Sequence, residues 1–300
     1  VQLYKGPWVE ALFTNTFLLN RIQQKTGAGE GVRWPVRYAG NASAGSYAEG
    51  DTGAGAGNQG FKKAFLTWKL NKVEVEVSGL AQAIGDNGGM IVPALRTELD
   101  LGLSDVRGNI NTQLMSDGTG NSGKDITGLY AAIGDTGTYA GLDRGTYTWW
   151  KSYVNANAGT PRNLSEALMR DVKSTVEARG GRIGAIYSGS RQWYAYGDLL
   201  RAERRQYTPY MVNQVPTAGG LTGGYQALDF EGIPLIKVPG YSQTRMDFVD
   251  EELLEYVVLK DFEAKPMAKT KDSDVIWVTH YSQLVCRNPY RMGSLQDLAQ

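Results

Sequence analysis

Two stretches of the sequence decide the fold: GVRWPVRYA at residues 31–39 and AFLTWKLNKVEVEV at residues 64–77. In the first stretch, apolar and basic residues alternate with the period of two that is typical of a β-strand. The second stretch alternates as well, but its apolar positions change phase between Leu70 and Val73. A change of the buried face within one strand predicts a bulge, or a strand that passes from one environment into another.

The connection between these strands, residues 39–60, consists almost entirely of Gly, Ala, Ser, Asn and Asp, with Tyr47 as its one large apolar side chain. It is much longer than an ordinary hairpin loop. A single strand over 61–77 is roughly 55 Å long, whereas a compact chain of this length has a radius of gyration of about 19 Å. Fixing about 20 loop residues costs on the order of 20 kcal/mol of backbone entropy. We therefore expect a projecting hairpin whose tip is either disordered or ordered by a neighbouring molecule. A Gly-rich loop on an ordinary sheet is the plainer alternative.

A long helix is predicted after the two glycines at 88–89. Its apolar positions are spaced three or four apart in one continuous stripe: Ile91, Leu95, Leu99, Leu103, Val106, Ile110 and Leu114. This spacing predicts a spine helix over 90–116, about 37 Å long at about 1.5 Å per residue. Gly102 and Gly108 weaken the helix locally, so tertiary packing must hold it.

The remaining chain predicts a mixture of helices and short strands. Helices are expected over 7–25, over 163–179 with Asn163 and Glu166 as a capping pair, and after Ser188 or Ser190. Strands are expected at 183–187, 235–238, 248–249, 253–259 and 275–286. The last strand has apolar residues on both faces, which is typical of a central strand. The pattern predicts an α+β body. The segment 7–25 either packs on its own domain or lies on a neighbour.

The composition excludes several classes of protein. A hydrophobic content of 42% with 17 Tyr and 7 Trp excludes a disordered chain. The charges balance at 31 basic against 31 acidic residues, which disfavours a dedicated nucleic-acid binder but suits the wall of a container. One Cys and one His cannot make a disulfide or the usual four-ligand zinc site, so we expect no metal and no cofactor. No apolar run of about 20 residues is present to span a bilayer.

Two motifs resemble catalytic or binding sites but lack the required context. The run GTGNSGKD at 118–125 resembles a phosphate-binding loop, yet it follows a predicted helix, and Asp125 stands where a hydroxyl should bind magnesium. His280 and Cys286 fall on one predicted strand, about 20 Å apart, which is too far for a catalytic pair. We therefore expect a protein that is not an enzyme.

The order of the elements resembles the major capsid protein of tailed double-stranded-DNA bacteriophages, which has the Hong Kong ninety-seven-type fold. That order is an arm, a long hairpin, a spine helix, a mixed lobe and a closing strand. Short stretches are similar as well: FEGIPLIK at 230–237, the strand hairpin expected at 248–261, and the ending YSQLVCRNPYRMGSL at 281–295. The resemblance covers essentially the whole chain, and it depends on order and spacing more than on any one signature.

The resemblance implies a structural protein that self-assembles into an icosahedral shell of hexamers and pentamers. The shell would enclose double-stranded DNA without sequence-specific binding, form in the host bacterial cytoplasm and become the capsid of the virion. The implied partners are copies of the chain itself, a portal, and decoration or scaffold proteins, with no membrane. An encapsulin-like bacterial compartment, which shares the fold, is the alternative. An enzyme or a carbohydrate-binding module, suggested by the aromatic content, is a third hypothesis.

The resemblance also implies a division of the chain into four parts. These are an N-terminal arm at 1–28, an extended hairpin at 29–78, a peripheral domain at 79–145 and 263–300 that contains the spine helix, and an axial domain at 146–262.

Candidate contacts between subunits are aromatic and basic residues of the arm, the hairpin and the lobe: Trp8, Trp34, Tyr47, Lys62, Lys63, Trp68, Arg201, Arg204 and Arg205. The three arginines are equally well interpreted as an intersubunit salt-bridge patch or as an exposed helix face. Some members of the family crosslink a hairpin lysine to a neighbour's asparagine. The corresponding pair suggested here is Lys62 or Lys63 with Asn288, although no activating glutamate is evident.

Overall fold

The computed structural model describes residues 16–50, 52, 55, 57–79, 94–202, 210–211, 226–268 and 271–299. Its helices are α1 (Phe17–Arg21), α2 (Ala94–Leu114), α3 (Leu129–Ala132), α4 (Glu166–Ala178) and α5 (Ser190–Ala202). Its strands are β1 (Gln23–Thr26), β2 (Gly31–Ala39), β3 (Gly60–Thr67), β4 (Lys69–Ser78), β5 (Thr138–Tyr139), β6 (Leu142–Asp143), β7 (Tyr153–Asn155), β8 (Ala185–Ser188), β9 (Tyr210–Met211), β10 (Gln226–Phe230), β11 (Ile233–Lys237), β12 (Met246–Val249), β13 (Leu254–Pro266), β14 (Ser273–Cys286) and β15 (Gly293–Leu295). The predicted α+β class is confirmed.

The first sheet has four strands in the order β1-β13-β14-β4. β14 pairs antiparallel with both β13 and β4, so the prediction of a central closing strand is confirmed. The spine helix α2 lies on this sheet at Gly102. A Cβ atom added to that glycine would lie 3.2 Å from Cγ2 of Val75 in β4. The glycine that weakens the helix therefore also permits its close approach to the sheet.

The hairpin and the sheet meet at Trp68. β2 pairs antiparallel with β3, with Val32 opposite Leu66 and Trp34 opposite Ala64. After Trp68 the chain continues as β4, which pairs with β14 instead. The change of phase in the sequence thus marks a strand that leaves one environment for another, as predicted. The expected single strand of 55 Å is wrong, because only the nine residues of β2 and the eight of β3 form the hairpin, about 30 Å in length.

The second sheet has seven strands in the order β7-β15-β12-β8-β11-β10-β9. Helix α4 packs against it through Met169, Val172 and Val176, which are fully buried. The predicted capping pair of Asn163 and Glu166 is wrong. Ser165 is the residue before the first helical turn, and its side chain accepts a hydrogen bond from the backbone N–H of Leu168 (3.4 Å).

The N-terminal segment differs from its prediction. The helix expected over 7–25 ends at Arg21, and residues 23–26 form β1, which pairs in parallel with residues 255–258 of β13. All four side chains of β1 are exposed, so pairing of its backbone with the edge of the sheet outweighs the helical pattern. Residues 1–15, including Trp8, lie outside the described residues.

Two of the expected domain boundaries also differ from the sheets. β13 runs across the boundary placed at residue 262 and belongs to the four-stranded sheet. β15, expected in the peripheral domain, lies between β7 and β12 in the seven-stranded sheet. The chain therefore crosses between the two sheets after β12 and again after β14, so neither sheet is built from one continuous segment.

Candidate functional site

The β2–β3 hairpin is the candidate site for contact between subunits, and one of its faces is occupied by the chain itself. Trp34 is 6% exposed, and its Nε1 donates a hydrogen bond to the carbonyl oxygen of Arg287 (3.1 Å). The Nε1 of Trp68 donates to the carbonyl oxygen of Gly29 (2.8 Å), and its ring packs against the core. Trp34 and Trp68, both expected to contact a neighbour, therefore pack within their own chain.

The same face continues into an aromatic cluster formed with residues 147–149. The ring of Tyr38 stacks on that of Trp149, with centroids 5.3 Å apart and planes at 15°. Trp149 contacts Tyr147 at 5.4 Å, and Nζ of Lys62 lies 5.5 Å from the centre of the Tyr147 ring. The backbone N–H of Phe65 donates to the carbonyl oxygen of Ala140 (2.9 Å). The paired strands therefore rest on the chain's own body, which corrects the expectation of an arm that projects along its full length.

The connection beyond the paired strands has far less contact with the body. Tyr47, at its centre, has 85% of its surface exposed. Most of the described residues between 40 and 59 are exposed as well. The part of the predicted arm that offers surface to a neighbour is therefore this tip rather than the tryptophans of the strands.

The opposite face of the hairpin is exposed and carries three cations. Arg33 lies opposite Phe65, Lys63 lies opposite Pro35, and Arg37 lies opposite Phe61, so these side chains share one face. The guanidinium of Arg33 is 4.8 Å from the centre of the Phe65 ring and 3.0 Å from a carboxylate oxygen of Glu30. Phe61 is 56% exposed. We call Arg33, Arg37, Lys63, Phe61 and Phe65 the cationic face.

Sequence reasoning had selected only Lys63 from this face. The period-two alternation predicts that Arg33, Arg37, Phe61 and Phe65 lie on the same face as Lys63, whereas the predicted contacts include the tryptophans of the other face.

The other predicted contact residues are less informative. Asn288 is half-buried and precedes a short 3₁₀ turn at Pro289–Arg291. Lys62 and Lys63 are adjacent in sequence and lie on opposite faces of the hairpin, so they could not serve equally in one crosslink. The side chain of Arg201, at the end of α5, is 76% exposed and lies 3.5 Å from Asp198. Arg204 and Arg205 lie outside the described residues.

The one histidine and the one cysteine of the sequence are both buried. Nε2 of His280 is 2.9 Å from the hydroxyl of Tyr256, and its ring stacks on Phe262 at 4.3 Å. Burial lowers the pKa of His280. Burial raises the pKa of the Cys286 thiol to about 12, so it stays protonated near neutral pH.

The described chain forms neither a phosphate-binding loop at residues 118–125 nor a cluster of metal-ligating side chains. The segment Gly120–Gly123 is a single distorted turn, with Asn121 and Ser122 at φ of 50° and 57°, and not a phosphate-binding loop that opens a helix. Within the described ranges, no three His, Cys, Asp or Glu side chains lie together as a metal site. None of the described helices is long and apolar enough to cross a membrane.

Partly buried ion pairs, which the sequence did not predict, attach the N-terminal segment to the body. Glu255 of β13 lies 2.6 Å from Nζ of Lys25 and 2.5 Å from the guanidinium of Arg287. Burial alone would raise the pKa of Glu255, but the hydrogen bonds from Arg287 and Lys25 outweigh it and lower the pKa. Arg21 of α1 forms a second pair with Glu251. These pairs join residues that are 32 to 230 positions apart, so no local pattern could reveal them.

Comparison with known proteins points to one family. The family model described as SU10 major capsid protein matches residues 14–299. No curated protein sequence matches the chain.

The fold is similar to those of several solved structures. One is the capsid asymmetric unit of cyanophage A-1(L), with 17% identity, a TM-score of 0.75 and coverage of 100% of this chain and 98% of that chain. Another is from Mycobacterium phage Bobi, with 11% identity, a TM-score of 0.62 and coverage of 99% and 95%. A third is the holo-SrpI encapsulin complex from Synechococcus elongatus PCC 7942, with 10% identity, a TM-score of 0.67 and coverage of 99% and 92%.

Proposed function

The chain belongs to the SU10 major capsid protein family, and from that premise we propose that it builds an icosahedral shell of hexamers and pentamers around double-stranded DNA. Its role in the virion is structural. Assembly takes place in the host bacterial cytoplasm from copies of this one chain. A portal and, in some assemblies, scaffold or decoration proteins complete the particle, and the chain has no enzymatic activity.

One observation carries this proposal beyond the family: the tip of the hairpin. Residues 40–59 connect the last strand pair, Ala39 and Gly60, and Tyr47 among them is 85% exposed within the part of the chain that the structure describes. Ordering about 20 residues costs on the order of 20 kcal/mol, and contact with a neighbouring subunit is the interaction that can offset it. A repeated shell supplies that neighbour at every position.

The balanced charge supports non-specific enclosure of DNA. With 31 basic and 31 acidic residues, the chain has no net attraction for phosphate that would immobilise the packaged molecule on the wall. The buried Cys286 suits assembly in a reducing compartment, because it requires no disulfide.

Electron microscopy of the purified protein tests the shell directly. Closed particles of uniform diameter are expected, and a monodisperse monomer at all concentrations would contradict the proposal.

The contents of the particles distinguish a phage capsid from an encapsulin-like compartment. Particles isolated from infected cells should hold nuclease-protected DNA, whereas protein cargo without DNA would favour the encapsulin-like alternative, which the similarity to the Synechococcus complex keeps open.

The crosslink between Lys62 or Lys63 and Asn288 of a neighbour stays a separate hypothesis. It predicts a ladder of covalent multimers when assembled shells are denatured. A single monomer band would contradict the crosslink hypothesis.

A further inference from the structure

The seven-stranded sheet ends at β7, and the outer edge of this strand presents backbone groups for hydrogen bonding. Tyr153 donates its backbone N–H to the carbonyl oxygen of Met292 (3.0 Å), and the carbonyl oxygen of Asn155 accepts from the N–H of Gln296 (3.0 Å). Because alternate residues of a strand direct their N–H and C=O groups to opposite sides, those of Val154 point away from β15. In the part of the chain that the structure describes, no strand pairs with this side of β7.

A cavity of about 480 Å³ opens beside this edge. Its lining combines two cations, one carboxylate and three aromatic rings: Lys151, Arg179, Asp135, Trp149, Tyr153 and Tyr290. Val154 lines the cavity as well, so the strand edge and these side chains face the same space. The backbone N–H of Ser152 donates to the carbonyl oxygen of Gly134 (3.0 Å), so the chain itself occupies the edge only on the N-terminal side of β7.

Arg179 is held in one position at this cavity. Its guanidinium lies 4.6 Å from the centre of the Tyr290 ring and 5.4 Å from that of Tyr153, and Nη1 donates to the carbonyl oxygen of Lys151 (3.2 Å). Tyr153 is fixed in turn, because its hydroxyl donates to Asp171 (2.6 Å). Among the described residues, neither Arg179 nor Lys151 has a carboxylate partner. An arginine that is already ordered loses little further freedom when it binds a carboxylate.

The aromatic rings of the cavity are already in contact with other groups, which disfavours a sugar as the ligand. Arg179 covers Tyr153 and Tyr290, and Trp149 stacks on Tyr38 at 5.3 Å. A sugar ring would need an open aromatic face. The positive charge and the backbone groups at the strand edge remain available to a ligand. Nucleic acid offers the negative charge, but it has no peptide backbone that could pair with a strand.

We propose that the edge of β7 binds an extended peptide segment of a partner protein, which pairs with Val154 and places an acidic side chain at Lys151 and Arg179. Pairing of the backbones supplies affinity, and the two cations select the side chain. Pairing of two β7 edges from two copies of the chain is disfavoured, because it brings their cations together. Scaffold and decoration proteins are the class of partner that would supply this segment. The inference goes beyond the proposed function, since it holds or fails for the isolated chain.

A synthetic peptide tests the site directly. A fluorescein-labelled Val-Thr-Glu-Thr-Val peptide should bind the purified chain in fluorescence anisotropy measurements. The same peptide with lysine in place of glutamate should bind at least about tenfold more weakly. A fully N-methylated glutamate peptide keeps the charge but cannot donate backbone hydrogen bonds, so it should lose binding. No measurable binding of the glutamate peptide, or equal binding of the lysine peptide, would overturn the inference.

Two variants of the chain separate the contribution of the charge from that of the backbone. Arg179→Gln should weaken binding by about tenfold, whereas Arg182→Gln, on the same connection and with its side chain 84% exposed, should leave it unchanged. Val154→Pro removes the N–H at the outer edge and keeps the bonds of Tyr153 and Asn155 to the neighbouring chain, as proline is tolerated on edge strands. This variant should keep its thermal midpoint and lose peptide binding. If it does not fold, the N-methylated peptide makes the same test.

Hydrogen exchange locates the contact. The amide of Val154 should exchange more slowly when the glutamate peptide is bound, and unchanged exchange at this amide would contradict the proposed pairing. A DNA oligonucleotide that displaces the peptide and binds more tightly would assign the cavity to nucleic acid and overturn the inference. A dimer of the purified chain that Val154→Pro converts to a monomer would make a second copy the occupant, which also overturns it.

The two proposals can fail independently. Peptide binding with the expected selectivity in a chain that forms no closed particles would support the strand-edge site and contradict the shell. Closed particles from a chain that does not bind the peptide would support the shell and overturn the strand-edge site.

Discussion

Asn111 is a buried amide within the apolar side of α2, and its Oδ1 accepts hydrogen bonds from the backbone N–H groups of Leu18 (2.8 Å) and Leu19 (3.1 Å). These donors belong to the first turn of α1, which has no side-chain cap of its own. Replacing Asn111→Ala leaves two buried N–H groups without an acceptor, so we expect a loss of about 2 kcal/mol in the free energy of unfolding. Denaturant unfolding measures it, and the amides of Leu18 and Leu19 should exchange with solvent faster. Asn109→Ala, on the exposed side of the same helix, should change neither.

The stability of the fold should depend on pH through His280, which is the one histidine of the sequence. Burial lowers its pKa from 6.5 in the folded chain, with Asp261 raising it and Arg107 lowering it further. The unfolded chain therefore binds a proton that the folded chain resists, so this group's contribution to stability is present above pH 6.5 and is lost as the pH falls. We expect the thermal midpoint to decrease as the pH is lowered from 7 to 5, and to decrease less in His280→Gln. An equal decline in both proteins would assign the effect to other groups.

Single residues were the least predictable level. The sequence shows Trp34 and Trp68 as conspicuous aromatic residues, but not that their indole N–H groups donate hydrogen bonds to the backbone carbonyls of Arg287 and Gly29 in the same chain. Nor could it place Glu255 between Lys25 and Arg287, because that arrangement depends on three strands meeting. Residue roles of this kind follow from tertiary contacts and have no local signature.

At the scale of elements, the contact of α2 with β4 depends on the absence of a side chain at Gly102. A Cβ atom there would lie 3.2 Å from Val75 and 3.4 Å from Val73. Gly102→Leu would push the helix from the strand, and overpacking of this kind costs about 1–3 kcal/mol. Gly102→Ala should be nearly neutral, because its gain of about 1 kcal/mol in helix propensity offsets the tight contact. Urea unfolding of both, with Asn109→Leu as an exposed control, tests the packing. Equal stability of Gly102→Leu and the control would contradict it.

Elements were predicted well where one period continued over many residues. The apolar stripe of α2 and the alternation of β2 and β14 predict most of the length of these elements, because half-buried surfaces impose their period on the sequence. β1 and β15 were missed. They are four and three residues long, and each exists because it pairs with a strand that is distant in sequence or in the other half of the chain.

At the scale of the whole molecule, the order of the elements predicts the fold, whereas β13 and β15 do not follow the expected domain boundaries. The chain contributes β1, β4, β13 and β14 to the four-stranded sheet. It contributes β7 to β12 and β15 to the seven-stranded sheet. Because successive segments of the chain alternate between the two sheets, a boundary predicted from the linear sequence does not separate one sheet from the other. The length of the hairpin was overestimated for the same reason, since β4 belongs to the sheet and not to the arm.

The tip of the hairpin should therefore be dispensable for the subunit and necessary for the shell. Replacing residues 40–59 with Asn-Gly closes a two-residue turn between Ala39 and Gly60, and it leaves the pairing of β2 with β3 in place. None of the described residues between 40 and 59 is buried, so the thermal midpoint should shift by only about 2 °C. Closed shells should be absent from electron micrographs, because each subunit has lost the surface that a neighbour would cover. Tyr47→Ala, with the tip otherwise intact, separates the aromatic side chain from the length of the loop and should weaken assembly without abolishing it. Shells of normal diameter from the tip-less protein would show that the tip contributes nothing to closure, and the exposed Tyr47 would then need another partner.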